Sequence, residues 1–172
     1  MKHLSSLAFA TVIGLTSFTA TAQPSITELS FEDPWIRGSV PGQKNGAGYL
    51  IIGNQSSQPG ALVSVDSDRA DRVELHTIVR EGGVAKMREV KEIPVPANGN
   101  VTLKPGGFHI MMIGLTQPFN AGENVPMTLN FASGQSTTVT FEVKPPTYMG
   151  GTGGHGGHGG HGGHGMKKSD NQ

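Results

Sequence analysis

Residues 73–90 read VELHTIVREGGVAKMREV, two alternating runs joined by a pair of glycines. In the first run Val73 and Leu75 fall on one face, whereas Glu74 and His76 fall on the other. This period of two is typical of a β-strand that is buried on one side only. Two such runs on either side of a Gly-Gly pair predict a β-hairpin. The centre of the chain therefore favours sheet over helix.

The alternation continues on both sides of the hairpin. Further strands are predicted at positions 26–31, 49–52, 61–65, 101–103, 109–113, 125–131 and 137–143. Short segments with Gly, Pro or Asn separate these runs at positions 41–42, 59–60, 82–83, 98–99, 105–107, 121–122 and 133–134. Positions 67–72 leave room for one helical turn at most. Many short strands with regular turns predict an all-β sandwich or barrel.

The first 22 residues have the composition of an export signal. Lys2 gives a basic start, residues 4–18 carry no charge and are mostly apolar, and Ala20-Thr21-Ala22 supplies the small residues of a cleavage site. The apolar run is shorter than the about 20 residues that a membrane span needs. We therefore expect a cleaved signal peptide over 1–22 and no membrane insertion after cleavage. The alternative is an uncleaved anchor.

The composition changes again after residue 146. Gly-Gly-His units fill positions 150–165 and cannot bury a core, so a disordered, flexible tail is expected over 147–172 and a single folded domain over 23–146. The tail carries Met149, His155, His158, His161, His164 and Met166. Such a His-rich tract is typical of metal binding, and nickel or zinc loading and an inert linker are the alternatives.

The predicted folded domain contains only two histidines, His76 and His109. In the run PGGFHIMMI at 105–113, His109 and Met111 fall on the same face of a strand, while Met112 turns toward the core. His76 and Met87 lie a few residues on either side of the hairpin turn, so their side chains are expected to approach each other. The sequence thus predicts one group of two imidazoles and two thioethers.

This donor set selects a metal. Thioether sulfur is a soft, neutral donor that favours Cu(I), whereas zinc sites use Cys, His and carboxylates, and calcium and magnesium use oxygen. We predict His76, Met87, His109 and Met111 as copper ligands, with ordinary strand packing as the alternative. Glu74 is a candidate acceptor that orients His76, although it is equally well placed as a solvated strand residue. Met127, Trp35 and Ile36 are expected in the core.

Charge and cysteine content exclude several functions. Thirteen basic residues balance thirteen acidic ones, so no basic excess indicates a nucleic-acid partner. The chain has no cysteine, which excludes a thiol nucleophile, a CxxC redox pair and a blue-copper site with its Cys ligand. With both body histidines assigned to the metal, no Ser-His-Asp set is evident. We therefore predict a binding protein and not an enzyme or an electron carrier.

The spacing of the four ligands resembles the signature of the PCuA(C) (DUF461-type) periplasmic copper chaperones. Ten residues separate His76 from Met87, twenty-one separate Met87 from His109, and one separates His109 from Met111. Segments DPWIR, VELH, MREV and PGGFHIM, which begin at positions 33, 73, 87 and 105, also agree. The resemblance covers about residues 26–143. It departs at Pro34, where alanine is commoner in the family.

The resemblance implies a cupredoxin-like Greek-key β-barrel or sandwich in the periplasm. It further implies that the protein binds Cu(I) and delivers copper for cytochrome c oxidase assembly, to an oxidase subunit or through a second copper chaperone. Members with a similar extension are associated with Cu(II), so the tail residues named above are expected to bind Cu(II). The alternative function is a periplasmic buffer that sequesters copper without a dedicated acceptor.

Overall fold

The computed structural model describes residues 28–151, which form ten β-strands and no α-helix. The strands are β1 (Leu29–Arg37), β2 (Asn45–Asn54), β3 (Gly60–Asp66), β4 (Ala70–Glu81), β5 (Val84–Glu89), β6 (Ile93–Val95), β7 (Gly99–Leu103), β8 (His109–Leu115), β9 (Asn124–Phe131) and β10 (Ser136–Lys144). The all-β prediction is confirmed. The predicted signal peptide, 1–22, and the four tail histidines lie outside the described residues. None of the described segments is a helix long and apolar enough to cross a bilayer.

All ten strands belong to one sheet, in the order β5-β4-β8-β2-β1-β10-β9-β3-β6, with β7 paired to β2 beside this path. Every pair is antiparallel except β1 with β10. Strands β5 and β6 form the two ends of the path and do not pair with each other, so the sheet is an open rather than a closed barrel. Strand β8 lies between β4 and β2, which places the 105–113 run beside the hairpin.

One hydrophobic cluster holds the curved sheet together. Its largest fully buried side chains are Ile36, Leu50, Ile52, Leu62, Ile93, Leu103, Ile110, Met112, Phe119, Met127, Leu129 and Phe141. Each large apolar side chain that is removed from water stabilises the fold by about 1.5–3 kcal/mol. The predictions that Met112, Met127 and Ile36 are core residues are therefore confirmed.

Trp35 is buried as predicted, but on the other side of the sheet. A bulge in β1 separates it from Glu32, and its ring stacks on Tyr49 with centroids 4.3 Å apart. Tyr148, beyond the last strand, packs edge-on against Trp35 at 4.8 Å. The segment that follows β10 therefore folds back over an aromatic pair outside the main core.

Two features of the strand plan differ from the sequence prediction. Strand β4 begins at Ala70, so positions 67–69 form a turn and no helix is present there. Strand β6 was not predicted, because it has only three residues and contains Pro94, which cannot donate to a sheet ladder. Proline is tolerated because β6 is an edge strand that pairs only with β3 along the sheet path.

Two glycines of β2 give a matched test of packing against β8 and the core. A Cβ atom added at Gly46 would lie 2.7 Å from Cε2 of the buried Phe119 ring, whereas one at Gly48 would meet nothing closer than 3.6 Å. We expect Gly46→Ala to lower the free energy of unfolding by about 1–3 kcal/mol through overpacking. Gly48→Ala should cost nothing, and should gain up to about 1 kcal/mol from the stiffer unfolded chain. Urea denaturation measures both, and equal losses would contradict this packing.

Candidate metal centre

Three of the four predicted copper ligands, His76, His109 and Met111, lie on the outer face of β4 and β8. His76 of β4 stands directly opposite His109 of β8, with ring centroids 5.7 Å apart and planes at 64°. In the next row along the strands, Glu74 stands opposite Met111. Alternate residues of a strand share a face, so these side chains lie together while Ile110 points into the core.

His109 is held in a nearly enclosed position. His109 is only 4% exposed, and its Nδ1 lies 3.0 Å from the carbonyl oxygen of Gly107. The Tyr49 ring lies beside it at 6.4 Å. Burial lowers the pKa of His109, and the nearby His76 lowers it further, against the opposing effect of the Gly107 carbonyl. The ring therefore favours its neutral form, which is the form that binds metals.

His76 is joined to a chain of charged side chains. Its Nε2 lies 2.7 Å from Oε2 of Glu74, and the other carboxylate oxygen accepts a hydrogen bond of 2.6 Å from Nε of Arg72. The hydrogen bonds from His76 and then Arg72 lower the pKa of Glu74. Nδ1 of His76 is buried and has no hydrogen-bond partner. This direct contact supports the prediction that Glu74 orients His76.

Met87 is set apart from the other three predicted ligands. The β4–β5 hairpin forms as predicted, but it places Glu89 opposite His76 and Met87 opposite Ile78. Met87 is therefore a diagonal neighbour of His76, a distance that long side chains can span. Met111 occupies the opposite diagonal. At 51% exposure on an edge strand, Met87 is the most accessible of the four.

The donor set of this face can be compared with what different metals need. Within residues 28–151 no three side chains among His, Asp and Glu group closely enough to hold an ion. Two imidazoles face each other here, Met111 lies on the same face of β8, and one imidazole nitrogen is buried without a partner. A neutral nitrogen and sulfur set of this kind fits Cu(I) and fits calcium or magnesium poorly.

Of the predicted tail ligands, only Met149 lies in the described part of the chain. Its side chain is 65% exposed, and its sulfur lies 3.9 Å from a guanidinium nitrogen of Arg37. Arg37 in turn lies over the Tyr49 ring at 5.8 Å. The root of the tail is thus placed on the same outer face as the histidine pair. His155, His158, His161, His164 and Met166 lie outside the described residues.

Arg72 and the Gly107 carbonyl were not predicted as parts of this centre. Arg72, Glu74 and His76 alternate along one strand, a pattern that could have predicted a row of linked charges. Gly107 gave no such signal, because a backbone oxygen carries no residue type and its direction depends on the turn before β8.

Comparison with known proteins now identifies the family. Residues 29–143 match the family model described as "Putative lipoprotein LpqE-like". The chain belongs to the LpqE-like family. A "Putative lipoprotein Lxx21020" of Leifsonia xyli subsp. xyli is 32% identical over 111 residues, which cover 64% of this chain and 66% of that protein. The match thus spans just under two thirds of the relative's own length.

Solved structures confirm the fold and the PCuA(C) resemblance. The copper-bound PCuAC domain from PmoF2 superposes with a TM-score of 0.61 at 23% identity, over 73% of this chain and 100% of that domain. The Cu(I) form of DR1885 from Deinococcus radiodurans matches with a TM-score of 0.56 at 32% identity, over 66% of this chain and 76% of that one. The LpqE-like chain therefore has the cupredoxin-like fold of PCuAC domains.

Proposed function

We propose that this LpqE-like protein is a copper metallochaperone that binds Cu(I) through His76, His109, Met111 and Met87. One observation carries the proposal: His76 and His109 face each other beside Met111, and one nitrogen of His76 is buried without a partner. Soft, neutral donors favour Cu(I). Two similar proteins, DR1885 and the PmoF2 domain, are described in their Cu(I) and copper-bound forms. The protein acts by binding and transfer and is not an enzyme.

The position of the centre suits release as well as binding. The two histidines are held by fixed hydrogen bonds, whereas Met87 projects from an exposed edge strand. A donor on an acceptor protein would replace Met87 first, while the histidines retain the ion. All four ligands are neutral, so the site lacks the strong attraction that thiolates give to copper.

The remaining assignments extend this proposal. Residues 1–22 serve as a cleaved signal peptide, 23–146 as the copper-binding domain and 147–172 as a tail that binds Cu(II). The name of the relative, a lipoprotein, supports a place outside the cytoplasm, and we assign the periplasm. The acceptor is a subunit of cytochrome c oxidase or a second copper chaperone.

Anaerobic titration of the full-length protein with Cu(I), against a competing chelator, tests the proposal. We expect one tightly held Cu(I) whose X-ray absorption shows both nitrogen and sulfur neighbours. A spectrum with nitrogen neighbours alone would contradict the body site, because two of its four proposed ligands are thioethers.

A second candidate function is a copper buffer that works through the tail. The two functions are separated by replacing His155, His158, His161 and His164 with glutamine in the full-length chain. If the body site is a chaperone site, the variant should keep its single Cu(I) and its transfer of copper to an acceptor, and should lose only the additional Cu(II). Isothermal titration with Cu(I) and with Cu(II) measures the binding of each ion. Loss of all copper binding in this variant would establish the buffer.

A further inference from the structure

We infer that Glu74 is a positioning residue that selects Nδ1 of His76 as the copper-binding atom, so that the two histidines bind the ion through different ring nitrogens. His76 would bind through Nδ1 and His109 through Nε2. The inference rests on the copper site proposed above, and it adds the atom by which each ring binds.

The hydrogen bond to Glu74 determines where His76 carries its proton. An ionised carboxylate only accepts hydrogen bonds, so the 2.7 Å contact requires a proton on Nε2 of the ring. A neutral imidazole carries one N–H, which leaves the lone pair on Nδ1. This is the atom that is buried without a partner. The free lone pair of His76 therefore lies on the nitrogen nearer to the backbone.

The opposite arrangement holds in His109. A backbone carbonyl is also only an acceptor, so the 3.0 Å contact with Gly107 requires a proton on Nδ1. The lone pair of His109 then lies on Nε2, at the tip of the ring. The two facing rings are thus held in opposite tautomers by two different acceptors, one a side chain and the other the backbone.

Arg72 keeps Glu74 in this role. One carboxylate oxygen accepts from Nε of Arg72 at 2.6 Å while the other accepts from His76, so both oxygens are engaged. Glu74 therefore orients a ligand rather than binding the ion itself. Acceptors of this kind fix the tautomer and direction of metal-binding histidines. Glu89 stands opposite His76 on β5, yet it forms no hydrogen bond with that ring in the described part of the chain.

The test is long-range proton–nitrogen NMR of the full-length protein, with ring signals assigned by His76→Gln and His109→Gln. At a pH of about 8, above the ordinary pKa of histidine, the copper-free protein should show the Nε2–H tautomer for His76 and the Nδ1–H tautomer for His109. Adding Cu(I) should shift the signals of Nδ1 in His76 and Nε2 in His109.

Two variants separate the effect of the Glu74–His76 hydrogen bond from the effect of a negative charge near His76. Glu74→Ala should leave His76 in a mixture of tautomers and weaken Cu(I) binding by about 10–100-fold. Glu89→Ala removes the same charge beside His76 and should change neither the tautomer nor the affinity. The dispersion of the backbone spectrum confirms that both variants are folded.

Three results would overturn the inference. Binding of Cu(I) through Nε2 of His76 would refute the choice of atom, and an unchanged tautomer in Glu74→Ala would refute the role of Glu74. If neither ring responds to Cu(I), the proposed copper site itself is wrong, and the assignment of copper-binding atoms falls with it. The copper-free tautomers are measured first, so these failures are distinguishable.

Discussion

Replacing His109 with alanine should weaken Cu(I) binding by at least about a hundredfold, because loss of even a group that only orients a metal ligand costs about 10–100-fold. His109 faces His76 across β4 and β8 and is fixed by the Gly107 carbonyl. Its loss removes one of the two proposed nitrogen donors, and no histidine other than His76 lies in the folded body to replace it. Competition with a Cu(I) chelator measures the change, in a chain whose tail histidines are glutamine.

The matched control is Tyr49→Phe. Tyr49 is buried next to His109 with ring centroids 6.4 Å apart, and this substitution removes only a hydroxyl group. Its Cu(I) affinity should stay near that of the parent chain. The double variant His76→Ala/His109→Ala should lose little more than either single variant, since two ligands of one ion act as a unit and their effects do not add. Additive losses would mean that the histidines bind separate ions.

The faces of the strands could be predicted from the sequence alone. A period of two follows from the geometry of a strand, and it separates His109 and Met111 from Ile110 and Met112 without knowledge of the fold. The structure agrees, with His109 beside His76 and with Ile110 and Met112 fully buried. Local alternation therefore predicts which face of β8 carries His109 and Met111.

The neighbours of each strand could not be predicted in the same way. Strand β8 lies between β4 and β2, although long stretches of chain separate the three, and alternation does not indicate which strands pair. The register of the hairpin depends on its turn, and one shift of two residues places Glu89 rather than Met87 opposite His76. The side chains that cover Trp35 could not be predicted either. Trp35 is apolar and buried, but Tyr49 and Tyr148 cover it outside the main core.

Adjacent methionines of β8 provide the second large prediction. Met112 is fully buried in the core, whereas Met111 lies on the outer face opposite Glu74. Met112→Ala should lower the free energy of unfolding by about 2–5 kcal/mol, through lost burial and the cavity that remains. Met111→Ala should change it by less than about 1 kcal/mol, as expected for a side chain outside the core.

The effects of the two substitutions on copper should be the reverse. Met111→Ala removes a proposed thioether donor and should weaken Cu(I) binding, while folded Met112→Ala should bind Cu(I) as the parent does. Urea unfolding followed through Trp35, the single tryptophan and only 3% exposed, measures stability, and chelator competition measures affinity. A shift of β8 by one residue would exchange its two faces. Loss of stability in Met111→Ala and loss of copper in Met112→Ala would therefore show that the register of β8, and with it the pairing of His109 with His76, is wrong.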